Sequence, residues 1–317
     1  MRAMVISETG GPEVLTPATV PLPAPAIGEA LVRVSAAGVN PIDAKTRAGR
    51  GAASLIRNYP AILGVDFSGT IVRPAFDAHP LQPGDEVYGL VPVPRLSGSY
   101  GEYLTVPVVT IARKPESLSS VEAAAVPCAA LTAWGAVVGV GNVKPGQRVL
   151  IHAAAGGVGH LAVQLAKWAG AHVVGTASAR NADWLRTLGA DEVIDYRAER
   201  FEEATGDIDL VIDLIGNVHD ETGTRSLSVM RPGSLIISVP TGSWPGYLED
   251  AAAAGMRATD IKALSDTATL NSIAELIDAG EVRVHVDRDF PLEEAAAAHR
   301  MIEEGHTRGK IVLRVEA

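Results

Sequence analysis

The sequence predicts an α/β protein with a doubly wound parallel sheet in its C-terminal half and a mainly β domain before it. Three observations indicate this division. After residue 142, short apolar runs alternate with helical segments, which is typical of a parallel sheet covered on both faces. A glycine-rich turn at 154–159 joins the first of these runs to a helix. Residues 1–120 contain short alternating segments between proline and glycine turns, the pattern of a compact, barrel-like β domain.

The turn at 154–159 reads Ala-Ala-Gly-Gly-Val-Gly and follows an apolar run at 149–151. The spacing Ala154-x-Gly156-x-x-Gly159 before a helix presents backbone N–H groups and a helix N-terminus to a pyrophosphate. Gly156 lets the phosphates approach the backbone, and Gly159 lets the helix pack close to the sheet. Ala154 stands where the common motif has its first glycine. Because a glycine motif alone is weak evidence, the flanking strand and helix decide the prediction of a Rossmann domain.

Hydrophobic periodicity predicts the other elements of this half. The helix after the turn extends to residue 169, and a helical segment at 180–188 follows. Strands are predicted at 172–177, 192–196, 209–216 and 234–239, and the alanine runs at 123–130, 251–254 and 295–298 predict helices.

The N-terminal part and the tail share strand chemistry. Strands are predicted at 30–34, 68–72 and 86–89, and in the tail at 282–286 and 310–315 with a helix at 292–304 between them. Ser119-x-x-Glu122 is a capping box that begins a helix. We therefore expect one domain at 1–120, completed by 281–317, and a dinucleotide-binding domain at 121–280.

Composition excludes several classes of protein. The 317 residues suffice for about two domains of ~150 residues each, and 47% hydrophobic residues can form full cores. A net charge of −10 without a basic cluster argues against nucleic acid or an anionic membrane as partner. The sequence contains one cysteine, no apolar run long enough to span a bilayer and no N-terminal signal pattern. These features predict a soluble, cytoplasmic protein.

Several segments together resemble one family, although each alone is unspecific. They are 37–45 (AGVNPIDAK), 63–69 (LGVDFSG), 83–89 (PGDEVYG), 131–134 (LTAW), the turn at 154–159 and 309–313 (GKIVL). Over essentially its full length the chain resembles the zinc-independent, zeta-crystallin-like quinone oxidoreductases of the medium-chain dehydrogenase/reductase superfamily. The resemblance implies a GroES-like β domain, a Rossmann domain and an active site between them. It further implies NADPH-dependent reduction of quinones or α,β-unsaturated carbonyls by a homodimer.

The metal ligands of the related alcohol dehydrogenases are missing. Asn40 and Val65 stand where that branch has a cysteine and a histidine on its catalytic zinc, and neither is expected to hold zinc. Cys128 stands where that branch has its third ligand, but one ligand of three does not form a site. The eight histidines show no metal-binding spacing, so no metal is expected.

The cofactor prediction rests on the end of the second strand. An NAD site usually has a carboxylate there for the ribose 2′-OH, whereas this strand ends Thr176-Ala-Ser178-Ala-Arg180. A hydroxyl and a guanidinium suit a 2′-phosphate, so NADPH is expected. Tyr196 closes the third strand, where relatives often have an aromatic residue lining the same pocket. The alternative for Arg180 is a solvated residue at a helix N-terminus.

The resemblance also implies the roles of individual residues. Lys45 is expected to stabilise the negative charge that forms on the substrate oxygen, and its alternative is an exposed loop lysine. Asn40 would orient the nicotinamide ring or ribose, and the final proton would come from water or from a tyrosine such as Tyr59. The complete set expected to bind the cofactor is Asn40, Thr132, Gly156, Gly157, Val158, Thr176, Ser178, Arg180, Tyr196 and Ile215.

Two further points stay open in the sequence. A catalytically idle NADPH-binding protein, structural or sensory, is the alternative to an oxidoreductase. The substrate pocket is expected to be lined by 41–60, 88–103 and 240–262, with Trp244 and Tyr247 either narrowing it or packing at a subunit contact. Residues 305–310, which end in Gly309 and Lys310, do not match a phosphate-binding loop because their spacing is one residue short and no Ser or Thr follows.

Overall fold

The computed structural model describes residues 1–92 and 98–315. Residues 93–97, part of the predicted substrate loop at 88–103, lie outside the described residues. The chain divides into two compact units. Unit 1 consists of Met1–Leu131, Leu264–Gly280 and Val284–Ala317, and unit 2 of Thr132–Ala263 and Glu281–Arg283.

The described residues form strands and α-helices along the whole chain. The strands are β1 (Arg2–Ile6), β2 (Thr16–Thr19), β3 (Glu29–Val39), β4 (Ala61–Ile62), β5 (Asp66–Arg73), β6 (Glu86–Leu90), β7 (Tyr103–Pro107), β8 (Ile111–Arg113), β9 (Arg148–Ile151), β10 (His172–Ala177), β11 (Glu192–Asp195), β12 (Ile208–Asp213), β13 (Met230–Ser238), β14 (Arg257–Asp260), β15 (Val286–Pro291) and β16 (Lys310–Arg314). The helices are α1 (Pro41–Arg47), α2 (Ser120–Ala124), α3 (Pro127–Trp134), α4 (Gly159–Trp168), α5 (Ala182–Thr187), α6 (Phe201–Ala204), α7 (Thr222–Ser226), α8 (Tyr247–Ala253), α9 (Thr267–Asp278) and α10 (Ala295–Glu303).

Unit 1 is built on two sheets. Strands β2, β1 and β4 form a small antiparallel sheet, and the larger sheet has the order β15-β16-β3-β5-β6-β8, with β7 also paired to β3. All pairs in the larger sheet are antiparallel except β15 with β16. Val32, Phe67 and Ile111, each fully buried, lie in its hydrophobic core. The C-terminal strand β16 lies beside β3, as the predicted completion of the first domain by the tail requires.

The unit boundaries differ from those expected from the sequence, because α2, most of α3 and α9 belong to unit 1. Helix α9 is held there by long-range hydrogen bonds: the Tyr88 hydroxyl donates to Leu270 O (2.6 Å), and the Thr267 hydroxyl donates to Ile111 O (2.9 Å). In α2, Ala124 packs with Ala36 of β3 in a small cluster. These contacts join residues far apart in the chain, so composition did not indicate them.

Unit 2 is a six-stranded parallel sheet in the order β11-β10-β9-β12-β13-β14. This order reverses between β9 and β12, where a doubly wound sheet binds its ligand beyond the carboxyl ends of the strands. Five of its strands were predicted; β14 was not, because its four residues, Arg-Ala-Thr-Asp, lack an apolar run. Together with the sheets of unit 1, this confirms the predicted fold class.

One local prediction was wrong. The strand expected at 282–286 begins only at Val286, because the preceding segment bonds to α4: Arg283 donates to Gln164 Oε1 (2.7 Å), and Gln164 Nε2 donates to Arg283 O (2.9 Å).

Trp244, for which the sequence left two roles open, lies in the core of unit 2. It is 4% exposed, and its indole N–H donates to Asp250 Oδ2 (2.7 Å).

The capping box at the start of α2 is confirmed. Glu122 N donates to the Ser119 hydroxyl (3.3 Å), and Ser119 N donates to the Glu122 carboxylate (2.9 Å). Within the described residues, the helices are all too short or too polar to cross a membrane.

His152, directly after β9, connects three elements of unit 2. The Ser226 hydroxyl donates to Thr222 O (2.7 Å), so it accepts from His152 Nε2 (2.8 Å). His152 Nδ1 must then accept from the Thr176 hydroxyl (3.1 Å), which fixes the tautomer of the neutral ring. Burial lowers the pKa of His152 to about 3, with a smaller contribution from Arg225 in the same direction.

This lowered pKa predicts acid sensitivity in unit 2. Between pH 6.5 and 3 the unfolded chain binds a proton at His152 that the folded chain does not bind. The free energy of unfolding should therefore fall as the pH is lowered through that window, by up to about 1.4 kcal/mol per pH unit. We expect His152→Gln to show a shallower dependence in urea titrations between pH 6.5 and 4.5. His219→Gln, at an exposed histidine, is the control and should keep the wild-type slope; equal slopes in both variants would contradict the prediction.

Candidate functional site

The glycine-rich turn has the geometry of an anion site. It lies between β9 and α4, where Gly156 N donates to Ala153 O (2.9 Å) and His160 N donates to Gly156 O (3.0 Å). A Cβ built on Gly159 would lie 2.3 Å from Ala153 O, so only glycine permits the helix to start this close to the strand. A Cβ on Gly156 meets nothing closer than 3.3 Å. The fold of the turn therefore constrains Gly156 less tightly than Gly159.

The alanine that replaces the first glycine of the motif is accommodated by a glycine elsewhere. Ala154 is fully buried, and its N–H donates to Thr176 O of β10 (3.0 Å). A Cβ built on Gly175, also in β10, would lie 2.9 Å from the Ala154 Cβ. The space normally left by a glycine in the turn is therefore supplied by the neighbouring strand.

Most of the predicted cofactor residues of unit 2 lie at one edge of its sheet. The turn containing Gly156, Gly157 and Val158 follows β9, Ser178 and Arg180 follow β10, Tyr196 follows β11, and Ile215 follows β12. Because the strands are parallel, their carboxyl ends meet at the same edge. Thr132, 6% exposed, lies in α3 instead.

The end of β10 has the polarity expected for a 2′-phosphate. Ser178 is 8% exposed and caps a short 3₁₀ turn that contains Arg180, whose side chain is exposed. Tyr196 N donates to Ala177 O (3.3 Å), so the end of β11 adjoins the same place. There the Arg197 guanidinium lies over the Tyr196 ring, 5.7 Å from its centroid.

Thr176 differs from the other members of the predicted set. It is 2% exposed, and its hydroxyl hydrogen is donated to His152. It can therefore only accept a further hydrogen bond, and phosphate oxygens also accept. Thr176 is thus better placed to join the end of β10 to His152 than to bind a phosphate.

Asp213, at the end of β12, holds the loop that contains Ile215. Its Oδ1 accepts from the N–H groups of Ile215 (2.9 Å) and Gly216 (2.8 Å). Its Oδ2 is buried without a hydrogen-bond partner among the described residues. Burial raises the pKa of Asp213, and the two backbone N–H groups oppose the rise.

In unit 1, both predicted catalytic residues belong to the start of α1. Asn40 is the N-cap residue, 4% exposed, and its N–H donates to Asp43 Oδ2 (2.9 Å). Burial raises the pKa of Asp43 to about 7. Lys45 follows one turn later and is half-buried.

The Lys45 ammonium has no hydrogen bond or ion pair within the part of the chain that the structure describes. Burial is the larger cause of the lowered pKa of its ammonium, and the charge of Arg50 adds to it. Arg50 N donates to Lys45 O (2.8 Å), which keeps the two residues adjacent. The ammonium is therefore a partly desolvated cation without a carboxylate partner, as electrophilic stabilisation of a substrate oxygen requires.

The side chain of Asn40 is held by an ion pair. Asn40 Nδ2 donates to Asp66 Oδ2 (2.9 Å), and Lys310 Nζ donates both to Asn40 Oδ1 and to Asp66 Oδ2 (3.2 Å). The other carboxylate oxygen of Asp66 accepts from Cys128 N (2.7 Å). Burial raises the pKa of Asp66, while Lys310, Asn40 and the Cys128 N–H oppose the rise.

Sequence reasoning missed several residues of these sites. Lys310 and Asp66 both stand in segments that were noted for their resemblance, but hydropathy gives no sign that their charges are paired in the interior. Arg197 directly follows the predicted third strand, and this position was a usable signal. His152 directly follows β9, and Asp213 is the last residue of β12. Only the sheet order shows that these two strands are adjacent.

Two family models match the chain. Residues 26–116 match the alcohol dehydrogenase GroES-like domain, and residues 188–313 match the model described as zinc-binding dehydrogenase.

Individual proteins resemble the chain over nearly its whole length. The mitochondrial NAD(P)H oxidoreductase RTN4IP1 of Mus musculus is 35% identical, and the alignment covers 99% of this chain and 89% of that protein. A chloroplastic NADPH-dependent alkenal/one oxidoreductase of Arabidopsis thaliana is 31% identical, with 99% of this chain and 79% of that protein covered.

Solved structures are similar as well. The quinone oxidoreductase of Coxiella burnetii superimposes with a TM-score of 0.94 at 39% identity, covering 100% of this chain and 99% of that one. The Escherichia coli quinone oxidoreductase, solved in complex with NADPH, gives a TM-score of 0.89 at 28% identity, covering 99% and 100%.

The residues of this chain do not fit the zinc that the second family model implies. Beside Asn40 and Asp66, a metal ion would meet the ammonium of Lys310, which lies 3.2 Å from the Asp66 carboxylate. Among residues 1–92 and 98–315, the side chains form no group of three or more His, Cys, Asp or Glu that could hold a metal ion. An amide, an ammonium and one carboxylate do not form a zinc donor set.

The pairing of Ala154 with Gly175 can be tested by exchange. Gly175→Ala should lower the free energy of unfolding by about 1–3 kcal/mol, because it places two Cβ atoms in conflict. The double variant Ala154→Gly/Gly175→Ala should recover most of that loss in urea denaturation. Gly206→Ala, where an added Cβ meets nothing within 4 Å, is the control. Losses that simply add in the double variant would contradict the pairing.

Proposed function

The chain belongs to the medium-chain dehydrogenase/reductase superfamily of oxidoreductases, and from that premise we propose that it is an NADPH-dependent reductase of quinones or α,β-unsaturated carbonyl compounds that works without zinc. The observation on which the proposal chiefly rests is the unpaired, partly desolvated ammonium of Lys45 on α1. It offers a positive charge, and the described residues contain no group of three or more His, Cys, Asp or Glu that could hold a metal ion. The quinone and alkenal/one oxidoreductases among the similar proteins support the same substrate classes.

The preference for NADPH is supported by the end of β10. A ribose 2′-OH would need a carboxylate acceptor there, but the positions hold Ala177 and Ser178. The carboxylate of the adjoining strand, Asp195, accepts from Arg197 N (3.1 Å). Arg180 and Arg197 instead provide two guanidinium groups at this edge, and guanidinium forms charge-assisted bonds with phosphate.

The proposed role of Lys45 follows from the charge that forms on the substrate during hydride transfer. NADPH, when bound, supplies the hydride. Hydride addition to an enone or a quinone leaves negative charge on the carbonyl oxygen, and Lys45 would stabilise that charge. Because no carboxylate neutralises the ammonium beforehand, the interaction gains strength as the oxygen becomes negative.

The cofactor preference is tested with Arg180→Gln. Loss of the guanidinium should lower kcat/KM for NADPH about 10- to 100-fold and leave the value for NADH within about twofold, because only NADPH has the 2′-phosphate. Arg186→Gln, which removes an exposed arginine paired with Asp183 on α5, is the matched control and should change neither. Equal losses with both cofactors would show that Arg180 does not recognise the 2′-phosphate.

The role of Lys45 is tested with Lys45→Met. We expect kcat with a quinone or an enone to fall about 100-fold and the Kd for NADPH to stay within about twofold, because the charge is needed only as the oxygen becomes negative. Arg73→Gln, an exposed cation at the end of β5 and outside the expected pocket, should retain wild-type rates. Full kcat in the Lys45 variant would exclude the electrophilic role.

The same hypothesis predicts a pH effect. Arg50 lowers the pKa of Lys45, so Arg50→Gln should raise it and move the alkaline limb of the kcat profile to higher pH. A limb that stays in place would assign it to another group.

The reaction itself is tested by following NADPH oxidation with a panel of quinones and enones, together with metal analysis of the purified protein. Turnover at a zinc content far below one atom per chain supports the proposal. Tight NADPH binding without turnover over the whole panel would instead indicate an idle NADPH-binding protein, and turnover that depends on stoichiometric zinc would overturn the zinc-independent mechanism.

A further inference from the structure

The interior of unit 1 contains a polar cluster around Asn40, and two of its members, Asp66 and Lys310, have no direct part in the chemistry proposed above. Asp66 is fully buried, and Asn40 and Lys310 are each 4% exposed. A buried ion pair is weak evidence for stability, because replacing both members with apolar residues often leaves a protein as stable or more so. The position of this pair beside Asn40 therefore needs another explanation.

The donors and acceptors of the cluster are matched. The three N–H donors of the Lys310 ammonium meet three acceptors: Val39 O (3.3 Å), Asn40 Oδ1 and Asp66 Oδ2 (3.2 Å). Asp66 Oδ1 is occupied by the N–H of Cys128 (2.7 Å). Lys310 and Asp66 thus have their strong hydrogen-bonding positions committed within the cluster.

This arrangement permits only one orientation of the Asn40 amide. An ammonium only donates hydrogen bonds, so the amide oxygen must face Lys310. A carboxylate only accepts, so the amide nitrogen must face Asp66 (2.9 Å). A flipped amide would set donor against donor and acceptor against acceptor. In the observed orientation one of the two N–H bonds of Nδ2 is not used by the cluster.

The backbone is also adapted to the cluster. Ile311 of β16 is paired with Val39 of β3, which places Lys310 beside Asn40. A Cβ built on Gly38 would lie 2.8 Å from the Asp66 Cβ and 2.4 Å from Ala124 O. Only glycine at this position lets Asp66 come close enough to reach Asn40.

We propose that Asp66 and Lys310 are positioning residues that hold the Asn40 amide in a single orientation, so that its uncommitted N–H is available to the nicotinamide cofactor or the substrate oxygen. The inference rests on the proposed function for what that N–H binds. The fixed orientation itself rests only on the contacts within unit 1.

The first experiment is a double-mutant cycle of Asn40→Ala and Lys310→Met. If Lys310 acts through Asn40, each single variant should lower kcat/KM about 10- to 100-fold, and the double variant should be no worse than the more impaired single one. Independent roles would instead multiply the losses and overturn the proposal. Arg314 lies on the same strand as Lys310, and Arg314→Gln breaks an exposed ion pair with Asp289 of β15; this variant is the control and should stay within about twofold of wild type.

The second experiment reverses the amide while keeping the fold. Lys310→Met alone leaves the buried carboxylate of Asp66 without its cation and is expected to be unstable. In Asp66→Asn/Lys310→Met both charges are absent, and Oδ1 of the new asparagine can still accept from Cys128 N. The NH₂ of the new side chain at position 66 then faces the Asn40 amide, and the Asn40 amide must turn its oxygen toward that NH₂. We expect a melting temperature near that of wild type with kcat/KM reduced at least 10-fold; wild-type kcat/KM in this folded variant would overturn the proposal.

A readout without turnover separates this inference from the proposed function. In the unliganded wild-type protein, the side-chain N–H of Asn40 that donates to Asp66, assigned by comparison with Asn40→Ala, should exchange slowly with solvent, and it should exchange much faster in Asp66→Asn/Lys310→Met. Unchanged exchange would refute the positioning role. A wild-type protein that reduces no quinone or enone would refute the proposed function, and the exchange measurement would still decide the orientation of the amide.

Discussion

The buried contact between Asp66, Lys310 and Asn40 is the interaction on which unit 1, with the proposed electrophile Lys45, depends. It joins the first residue of β5, the first residue of β16 and the residue that follows β3. Cys128 N, at the start of α3, bonds to the same carboxylate. Four chain segments that are widely separated in the sequence thus meet at the Asp66 carboxylate. Helix α1, which carries Lys45, begins directly after Asn40. The position of the proposed electrophile follows from where this ion pair lies.

Unit 2 depends on a different constraint, namely that all strands of its sheet are parallel. In such a sheet every loop that follows a strand emerges at the same edge, so residues distant in the sequence become neighbours. The glycine-rich turn, the arginines after β10 and β11, and the loop held by Asp213 meet in this way. Behind this edge, His152 uses both ring nitrogens for hydrogen bonds inside unit 2, to Thr176 of β10 and to Ser226 of α7.

Both halves show how a departure from a common motif is compensated at a distance. Ala154 is accepted because Gly175 on the next strand leaves space for its Cβ. The missing metal ligands at Asn40 and Val65 are accompanied by a cation of the chain itself, Lys310, that lies beside the amide. Gly175 meets Ala154 where the turn passes β10, and Lys310 reaches Asn40 through a side-chain hydrogen bond.

By itself, the sequence determined the fold class, five of the six strands of the sheet in unit 2, the glycine-rich turn and the expectation of a nicotinamide cofactor, because these depend on local periodicity and on backbone conformations that single residue types permit. Tertiary structure decided the rest. It assigned α9 to unit 1 through hydrogen bonds to β6 and β8, moved the tail strand to Val286 and committed the hydroxyl of Thr176 to His152. It also showed that Lys310 is the partner of Asp66. In the sequence, Lys310 stood out only as part of the 309–313 segment, of a predicted strand and of a segment that does not match a phosphate-binding loop. Charge pairing in a protein interior joins residues from distant segments, so no local pattern could reveal it.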